Sequence, residues 1–150
     1  MQRKPHKRNK TPIEERKQAT EFADLVTGDH IATVAKVDKI IDGKIDGLVL
    51  YDAATGYLDC YPTHTKNTEE TIQSLQHFLG PKGKFGQFYN DAAAELFAAA
   101  KAMGLNRDSG TPGRSESNGL AENKVRKVLE GSRTLLDFAG LPPSILVICL

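Results

Sequence analysis

Cysteine is scarce in this sequence, with only Cys60 and Cys149 among 150 residues, and tryptophan is absent. Two cysteines cannot build the disulfide framework of a small secreted domain, and their spacing from the four histidines matches no zinc site. No apolar run approaches the roughly 18 residues of a membrane span, and the basic N-terminus lacks the apolar core of a secretory signal. The sequence therefore predicts an intracellular protein without a membrane partner.

The chain has the composition of one globular domain, since 39% of its residues are hydrophobic and 26% are charged. Residues 1–10 contain five of the 20 basic residues and no acid, whereas the other 15 basic residues stand against 19 acids, a net charge of −4. We predict a basic, disordered arm over residues 1–20, a folded core over 21–143 and a truncated segment over 144–150. The arm has the charge to bind nucleic acid, although a solvated tail explains it equally well. Because the apolar run 144–150 stops abruptly, either the natural chain continued or this copy is cut short.

The hydrophobic pattern predicts strands first and helices later. Three strands are predicted, within residues 22–37 and at 48–51 and 57–61. Asn67 and Glu70 then form a capping signature for a helix that ends at Gly80. A short strand at 85–89 and a brief edge strand at 105–108 flank a second helix. The apolar stripe of that helix is Ala93, Leu96, Ala100 and Met103. This order predicts an α/β fold, a mixed sheet with helices on its faces.

A turn-rich loop leads into a long amphipathic helix near the end of the chain. Ser, Thr, Pro and Gly crowd residues 109–117, which predicts irregular structure, and Asn118 is the predicted N-cap. Beyond this cap one stripe recurs at helical spacing, formed by Ala121, Val125, Val128, Ser132, Leu135 and Ala139. The stripe predicts that the helix packs against the sheet.

Three acids stand where predicted elements meet. Asp29 lies in the first strand, Asp91 follows the fourth strand directly, and Glu122 opens the long helix. Carboxylates without nearby thiols or histidines suit Mg²⁺ or Mn²⁺. Two such ions activate a nucleophile and stabilise the leaving oxygen of a phosphodiester. The pattern has simpler explanations as well, since acids favour helix N-termini and Glu122 is placed to pair with Arg126.

Three segments resemble the catalytic core of retroviral and retrotransposon integrases, most of all the copia type. The segment 48–61, LVLYDAATGYLDCY, resembles a hairpin of that family with a small-residue turn that ends in Gly-Tyr. The segment 90–96, NDAAAEL, resembles its Ser-Asp-Asn-Gly-x-Glu-Phe motif. The segment 111–122, TPGRSESNGLAE, resembles its Thr-Pro-x-x-Pro-Gln-x-Asn-Gly-Val-Ala-Glu motif. The resemblance covers roughly residues 22–143.

The resemblance implies an RNase H-like fold, with a mixed five-stranded sheet and helices on both faces. It also implies an Asp-Asp-Glu triad that holds two Mg²⁺ or Mn²⁺ ions, with Asp91 second and Glu122 third. Asp29 is our choice for the first place and Asp24 is its rival. The expected chemistry is removal of terminal nucleotides and attack of a DNA 3′-hydroxyl on target phosphodiesters. The implied partners are DNA and further copies of the chain, and the nucleus or an element particle is a compatible location. The residues expected to bind DNA are Asn118, Lys124, Arg126, Lys127 and Arg133.

Departures from the family pattern leave alternatives open. Ala92 and Ala93 replace the usual Asn-Gly, and Ser115 and Glu116 replace Pro and Gln. The zinc module and the DNA-binding domain that flank such cores are also missing, which predicts a fragment of a polyprotein or a decaying copy. One alternative is therefore a nucleic-acid-binding module that keeps the fold without turnover. Another is an RNase H-like nuclease that acts on RNA–DNA hybrids or junctions. Such an enzyme needs a fourth acid, for which Asp52 and Asp59 are the candidates.

Overall fold

The computed structural model describes residues 19–32, 46–81, 83–90, 93–105, 107–109 and 115–141. Within these ranges the helices and strands follow the predicted order. They are β1 (Leu25–Ala32), β2 (Asp46–Asp52), β3 (Leu58–Thr63), α1 (Thr68–Leu79), β4 (Gln87–Asn90), α2 (Ala94–Ala102), β5 (Arg107–Ser109) and α3 (Ser115–Phe138). No helix in these ranges combines the length and the apolarity needed to cross a bilayer.

The strands form one sheet in the order β3-β2-β1-β4-β5. The first three strands make an antiparallel meander, and β4 and β5 then add parallel to the other side of β1. The predicted α/β class and mixed sheet are therefore confirmed. Four strands of at least four residues make up the body of the sheet, and the three residues of β5 extend its edge. This order places β1 in the middle, with a neighbour on each side.

The helices α1 and α2 cover one face of the sheet and enclose the larger hydrophobic core. Its buried members are Ala23, Val26, Leu48, Leu50, Leu75, Phe78, Phe88, Leu96, Ala99 and Ala100. The predicted cap of α1 is confirmed, because the Asn67 side chain accepts a hydrogen bond of 2.8 Å from the Glu70 backbone N–H. The Asn67 side-chain amide also donates to the Glu70 carboxylate at 3.3 Å, so the two side chains hold each other at the start of the helix.

The helix α3 covers the opposite face, where the core is smaller. Val125, Val128 and Leu129 pack there against Ile31, Val49 and Cys60. The predicted stripe is correct over its first part, since Ala121 and Ser132 are buried. It is wrong at its end, where Leu135 is 65% exposed and Ala139 is exposed, while Leu136 is 2% exposed. Leu136 continues the i, i+4 series from Ser132 and so faces the sheet, whereas Leu135 lies one residue off that series.

The start of α3 also differs from the prediction. The helix begins at Ser115, so Asn118 lies inside its first turn and is not the N-cap. No proline or glycine stands between Ser115 and Asn118 to prevent the earlier start. An acid, Glu116, is present in this turn, where the helix dipole favours negative charge. Polar composition alone therefore did not distinguish a loop from a polar first turn.

Gly28 is a tightly packed position in the middle of β1. A Cβ there would lie 2.8 Å from Leu50 Cδ2 and 3.1 Å from Phe88 Cζ, and both side chains are fully buried. We expect Gly28→Ala to lower the free energy of unfolding by about 1–3 kcal/mol, the usual cost of overpacking a core. The matched control is Gly131→Ala, because no atom lies within 4 Å of a Cβ built on this helical glycine. That change should instead raise stability by about 0.5–1 kcal/mol.

Urea unfolding of both variants measures these two effects. A Gly28→Ala variant as stable as the wild type would show that Leu50 and Phe88 have room to move, and that the packing behind β1 is looser than described.

Candidate functional site

Asp29 lies on the central strand, on the face that α3 covers. It pairs with Val49 on β2, and paired residues of antiparallel strands point to the same face. Val49 contacts the cluster beneath α3, so the half-buried Asp29 carboxylate belongs to that face. Residues 27 and 31 share it by the two-residue period of a strand. The neighbouring residue Gly28 packs into the other core, which fixes the position of the strand behind Asp29.

Asp24, the rival for the first acid, holds a local turn instead. Its carboxylate accepts hydrogen bonds of 2.9 Å from the backbone N–H groups of both Thr20 and Glu21. It precedes β1, which begins at Leu25. These contacts give Asp24 a structural role at the entrance to the sheet and support Asp29 as the candidate acid.

Asp91 lies outside the described residues. The described chain stops at Asn90, the last residue of β4, and resumes before α2. The parallel register of β1 with β4 ends at the pair of Gly28 and Asn90. In the sequence, Asp29 directly follows Gly28, and Asp91 directly follows Asn90. The place of Asp91 in the triad stays a prediction.

Glu122 is exposed on the first half of α3, next to Ala121, which is buried toward the sheet. The alternative pairing with Arg126 is not the one observed, because the Arg126 guanidinium lies 4.0 Å from Glu130 Oε1 and 3.5 Å from Asn123 Oδ1. Among the described side chains, no three of His, Cys, Asp and Glu come together as a metal site. This finding does not test the predicted triad, because Asp91 is not among the described residues.

The predicted DNA-binding residues of α3 fall into two groups. Arg126, Lys127 and Arg133 are exposed. Lys124 is half-buried, and its Nζ lies 3.6 Å from the centroid of the Tyr51 ring. The side chain of Asn118 lies outside the described part of the structure. Sequence analysis did not identify Tyr51 as a site residue. The alternation of β2 could have indicated it, since Val49 and Tyr51 are two residues apart and therefore share a face.

The two possible fourth acids lie on the wrong face of the sheet. Asp52 pairs with Val26 and Asp59 pairs with Leu50, and both partners belong to the core beneath α1 and α2. Asp52 is fully buried, and Asp59 accepts hydrogen bonds from the hydroxyls of two tyrosines. Neither carboxylate shares the face of Asp29, which removes the support for a nuclease with a fourth acid at either position.

His30 is packed rather than placed at the candidate site, because neighbouring residues of a strand face opposite sides of the sheet and His30 follows Asp29 directly. Its side chain is 4% exposed on the opposite face, 4.0 Å from the Glu95 carboxylate. Burial lowers the pKa of His30 below 6.5, which favours the neutral imidazole.

Cys60 lies beneath α3, on the same face as Asp29. Burial, assisted by the nearby charge of Asp59, raises the pKa of its thiol to about 12. We expect Cys60 to be inert toward thiol reagents at pH 8, because the reactive thiolate is then a negligible fraction. The measurement is reagent uptake by a Cys149→Ser variant, which leaves one thiol, before and after urea unfolding. Rapid uptake by the folded variant would contradict the described burial.

Comparisons with known proteins identify related sequences, although no protein-family profile matches the chain. It is 33% identical over 95 residues to the Pro-Pol polyprotein of feline foamy virus, an alignment covering 59% of this chain and 8% of that protein. It is 30% identical over 101 residues to the retrovirus-related Pol polyprotein from transposon RE1 of Arabidopsis thaliana, covering 63% and 7%. The chain thus spans less than a tenth of the length of these curated relatives.

Solved structures with the same fold include a retroviral intasome and an integrase core. The simian T-cell lymphotropic virus intasome, in complex with a PP2A regulatory subunit, matches with a TM-score of 0.59 at 19% identity, over 85% of this chain and 46% of the other. The catalytic core domain of BIV integrase matches with a TM-score of 0.52 at 12% identity, over 85% and 80%. The chain has the RNase H-like fold of an integrase catalytic core, and the predicted resemblance is confirmed.

Proposed function

We propose, from its integrase-core fold and its similarity to Pol polyproteins, that the chain is a divalent-metal-dependent polynucleotidyl transferase core that acts on DNA phosphodiesters. The observation that supports this most is the placement of Asp29. Its carboxylate lies mid-strand, on the central strand, and faces the side of the sheet covered by the helix that carries Glu122. Acids so placed on one face provide the ligands that such chemistry requires.

The residues on this face fit the proposed metals. Asp29 and Glu122 offer hard carboxylate oxygens, which suit these ions, whereas the Cys60 thiol on the same face is buried and is a soft donor that suits zinc or copper. Asp29, Asp91 and Glu122 would hold two Mg²⁺ or Mn²⁺ ions, which when bound activate the attacking oxygen and stabilise the leaving oxygen. Asp29 is half-buried on the central strand, and the basic side chains of α3 would bind the DNA backbone.

The test is cleavage of a labelled branched DNA by the wild-type chain, with Mg²⁺ or Mn²⁺ and with EDTA. We expect product only with metal, and none from Asp91→Asn, which should remain folded because Asn keeps the volume of Asp. An Asp91→Asn variant that retains activity would overturn the triad. A folded wild-type chain that gives no product with either metal would overturn the transferase itself.

A binding module without turnover is the second candidate, and the start of α2 favours it. Ala93 occupies the N-cap of α2 and makes no side-chain hydrogen bond to the helix. The polar turn that the family has at this point is therefore not reproduced by the Ala92-Ala93 sequence. This candidate predicts salt-sensitive DNA binding that needs no metal and weakens when residues 1–10 are deleted. Metal-dependent cleavage would exclude it.

A further inference from the structure

Tyr51 is a neighbour of the candidate acid on the face beneath α3. It pairs with Thr27 on β1, and the next pair on that face is Val49 with Asp29. Tyr51 is thus the diagonal neighbour of Asp29, at the separation of about 7–8 Å that diagonal pairs have in antiparallel sheets. The Tyr51 ring is half-buried, so it lies partly beneath the helix and partly toward solvent.

The Tyr51 ring contacts one basic residue of α3. Lys124 lies two residues after Glu122, and its Nζ is 3.6 Å from the ring centroid. This distance is well inside the roughly 6 Å limit for attraction between an ammonium and the electron-rich face of a ring. Within the described part of the chain Lys124 makes no ion pair, so its positive charge is not cancelled by a carboxylate.

The other cations of α3 are held differently. Arg126 is exposed, and its pair with the Glu130 carboxylate at 4.0 Å is exposed to solvent as well. Lys127 and Arg133 are exposed on the helix surface. A long side chain that is free to move loses rotamer entropy when it binds a phosphate, whereas a side chain already held against a ring loses less. Contact with a ring also leaves ammonium N–H groups free to donate to phosphate oxygens.

We propose that Tyr51 is a positioning residue for DNA binding: its ring holds the Lys124 ammonium on the Asp29 face, where it binds a backbone phosphate of the DNA strand. The role assigned to Tyr51 rests on the proposed function of the chain as a DNA-binding transferase core. In this proposal Lys124 is an ordered ligand of one phosphate, whereas the exposed cations of α3 provide general electrostatic attraction to DNA.

The experiment is a double-mutant cycle between Tyr51→Leu and Lys124→Met, with the affinity of the full chain for a short labelled DNA duplex measured in EDTA at several salt concentrations. Each single variant should weaken binding about three- to tenfold, as expected for a contact of this kind. The double variant should be no weaker than Lys124→Met alone. Lys124→Met should reduce the salt slope by about 0.9, the loss of one phosphate contact.

Matched controls separate positioning from a structural effect. Tyr51→Phe keeps the ring and should bind like the wild type. Lys127→Met removes a nearby exposed lysine, and its effect should add to that of Tyr51→Leu. In the free protein, the NMR signals of the Lys124 ε-methylene should be shifted upfield by the ring and should lose that shift in Tyr51→Leu.

The possible results are distinguishable. Additive effects of Tyr51→Leu and Lys124→Met, or unchanged affinity in Tyr51→Leu, would overturn the positioning role while leaving DNA binding intact. A wild-type chain without salt-dependent DNA binding would overturn the proposed function and the role of Tyr51 in it. If the Lys124 signal of that same protein were shifted upfield, the contact between Lys124 and Tyr51 would be present and only the proposed function would be wrong.

Discussion

Asp29→Asn is expected to lower metal-dependent DNA cleavage by about a thousandfold or more. Asn retains the size of Asp but removes the negative charge from the central strand. The charge stabilisation supplied by bound metal is worth several kcal/mol, and each 1.36 kcal/mol is a factor of ten in rate. Because Asp29 is half-buried at a strand position that Asn also fits, the fold should be kept. The measurement is initial rate of product formation, with circular dichroism to verify the fold.

Asp24→Asn is the matched control for this prediction. An amide oxygen can still accept the hydrogen bonds from the Thr20 and Glu21 backbones, so both the turn and the activity should persist. Binding of Mn²⁺, followed by its effect on water relaxation, provides a second measurement that needs no turnover. It should weaken in Asp29→Asn and not in Asp24→Asn. The reverse pattern in both measurements would show that Asp24 is the first acid.

Asp52→Asn is expected to reduce the free energy of unfolding by about 2–4 kcal/mol. The Asp52 carboxylate is fully buried and accepts hydrogen bonds from the backbone N–H of Ala23 at 3.0 Å and of Thr55 at 2.8 Å. It also accepts one from the Thr55 hydroxyl at 2.5 Å. An Asn side chain has one accepting oxygen, so its NH₂ group would face a backbone donor. Asp52 thereby ties the end of β2 to the segment before β1 and to the turn that follows β2.

Asp59→Asn is the control, because it has one backbone donor, the Cys60 N–H at 2.8 Å, which the Asn oxygen can keep, while its other partners can adapt. Asp59 accepts hydrogen bonds from the hydroxyls of Tyr57 and Tyr61 at 2.9 and 2.8 Å. A hydroxyl can rotate and accept a hydrogen bond from an amide, which a backbone N–H cannot do. We expect a loss below about 1 kcal/mol for Asp59→Asn, measured by urea unfolding alongside Asp52→Asn. Equal losses of unfolding free energy in the two variants would show that the backbone donors facing Asp52 do not determine how much Asp52→Asn destabilises the protein.

Local sequence patterns predicted the described helices and strands well, because their determinants are close in sequence. The cap of α1 depends on Asn67 and Glu70, three residues apart, and the stripe of α2 on one helix face. Two predictions for α3 were wrong for physical reasons: the residue at which the helix begins, and the residues that continue its buried stripe at the end. Polar residues suit a loop and a first helical turn equally, and which of two adjacent leucines is buried depends on the sheet beneath the helix.

The candidate site was less accessible from sequence because its members come from distant segments. Whether Asp24 or Asp29 faces α3 depends on the register of β1 with β2, which no local pattern contains. The contact of Tyr51 with Lys124 joins a strand to a helix more than seventy positions later, so neither residue alone indicated it. The exclusion of Asp52 and Asp59 likewise followed from the face each strand presents.

The unequal cores on the two sides of the sheet imply unequal resistance to opening. Among the described residues, the core beneath α1 and α2 contains most of the large buried side chains, while α3 rests on the small cluster of Ile31, Val49 and Cys60. Backbone amides of α3 should therefore exchange with deuterated solvent through detachment of that helix alone, whereas those of β1 require global unfolding. Under the proposed function, DNA bound to the same helix would slow its exchange selectively. Among the described helices and strands, the helix that carries Glu122 would then be the one whose order depends most on the proposed DNA ligand.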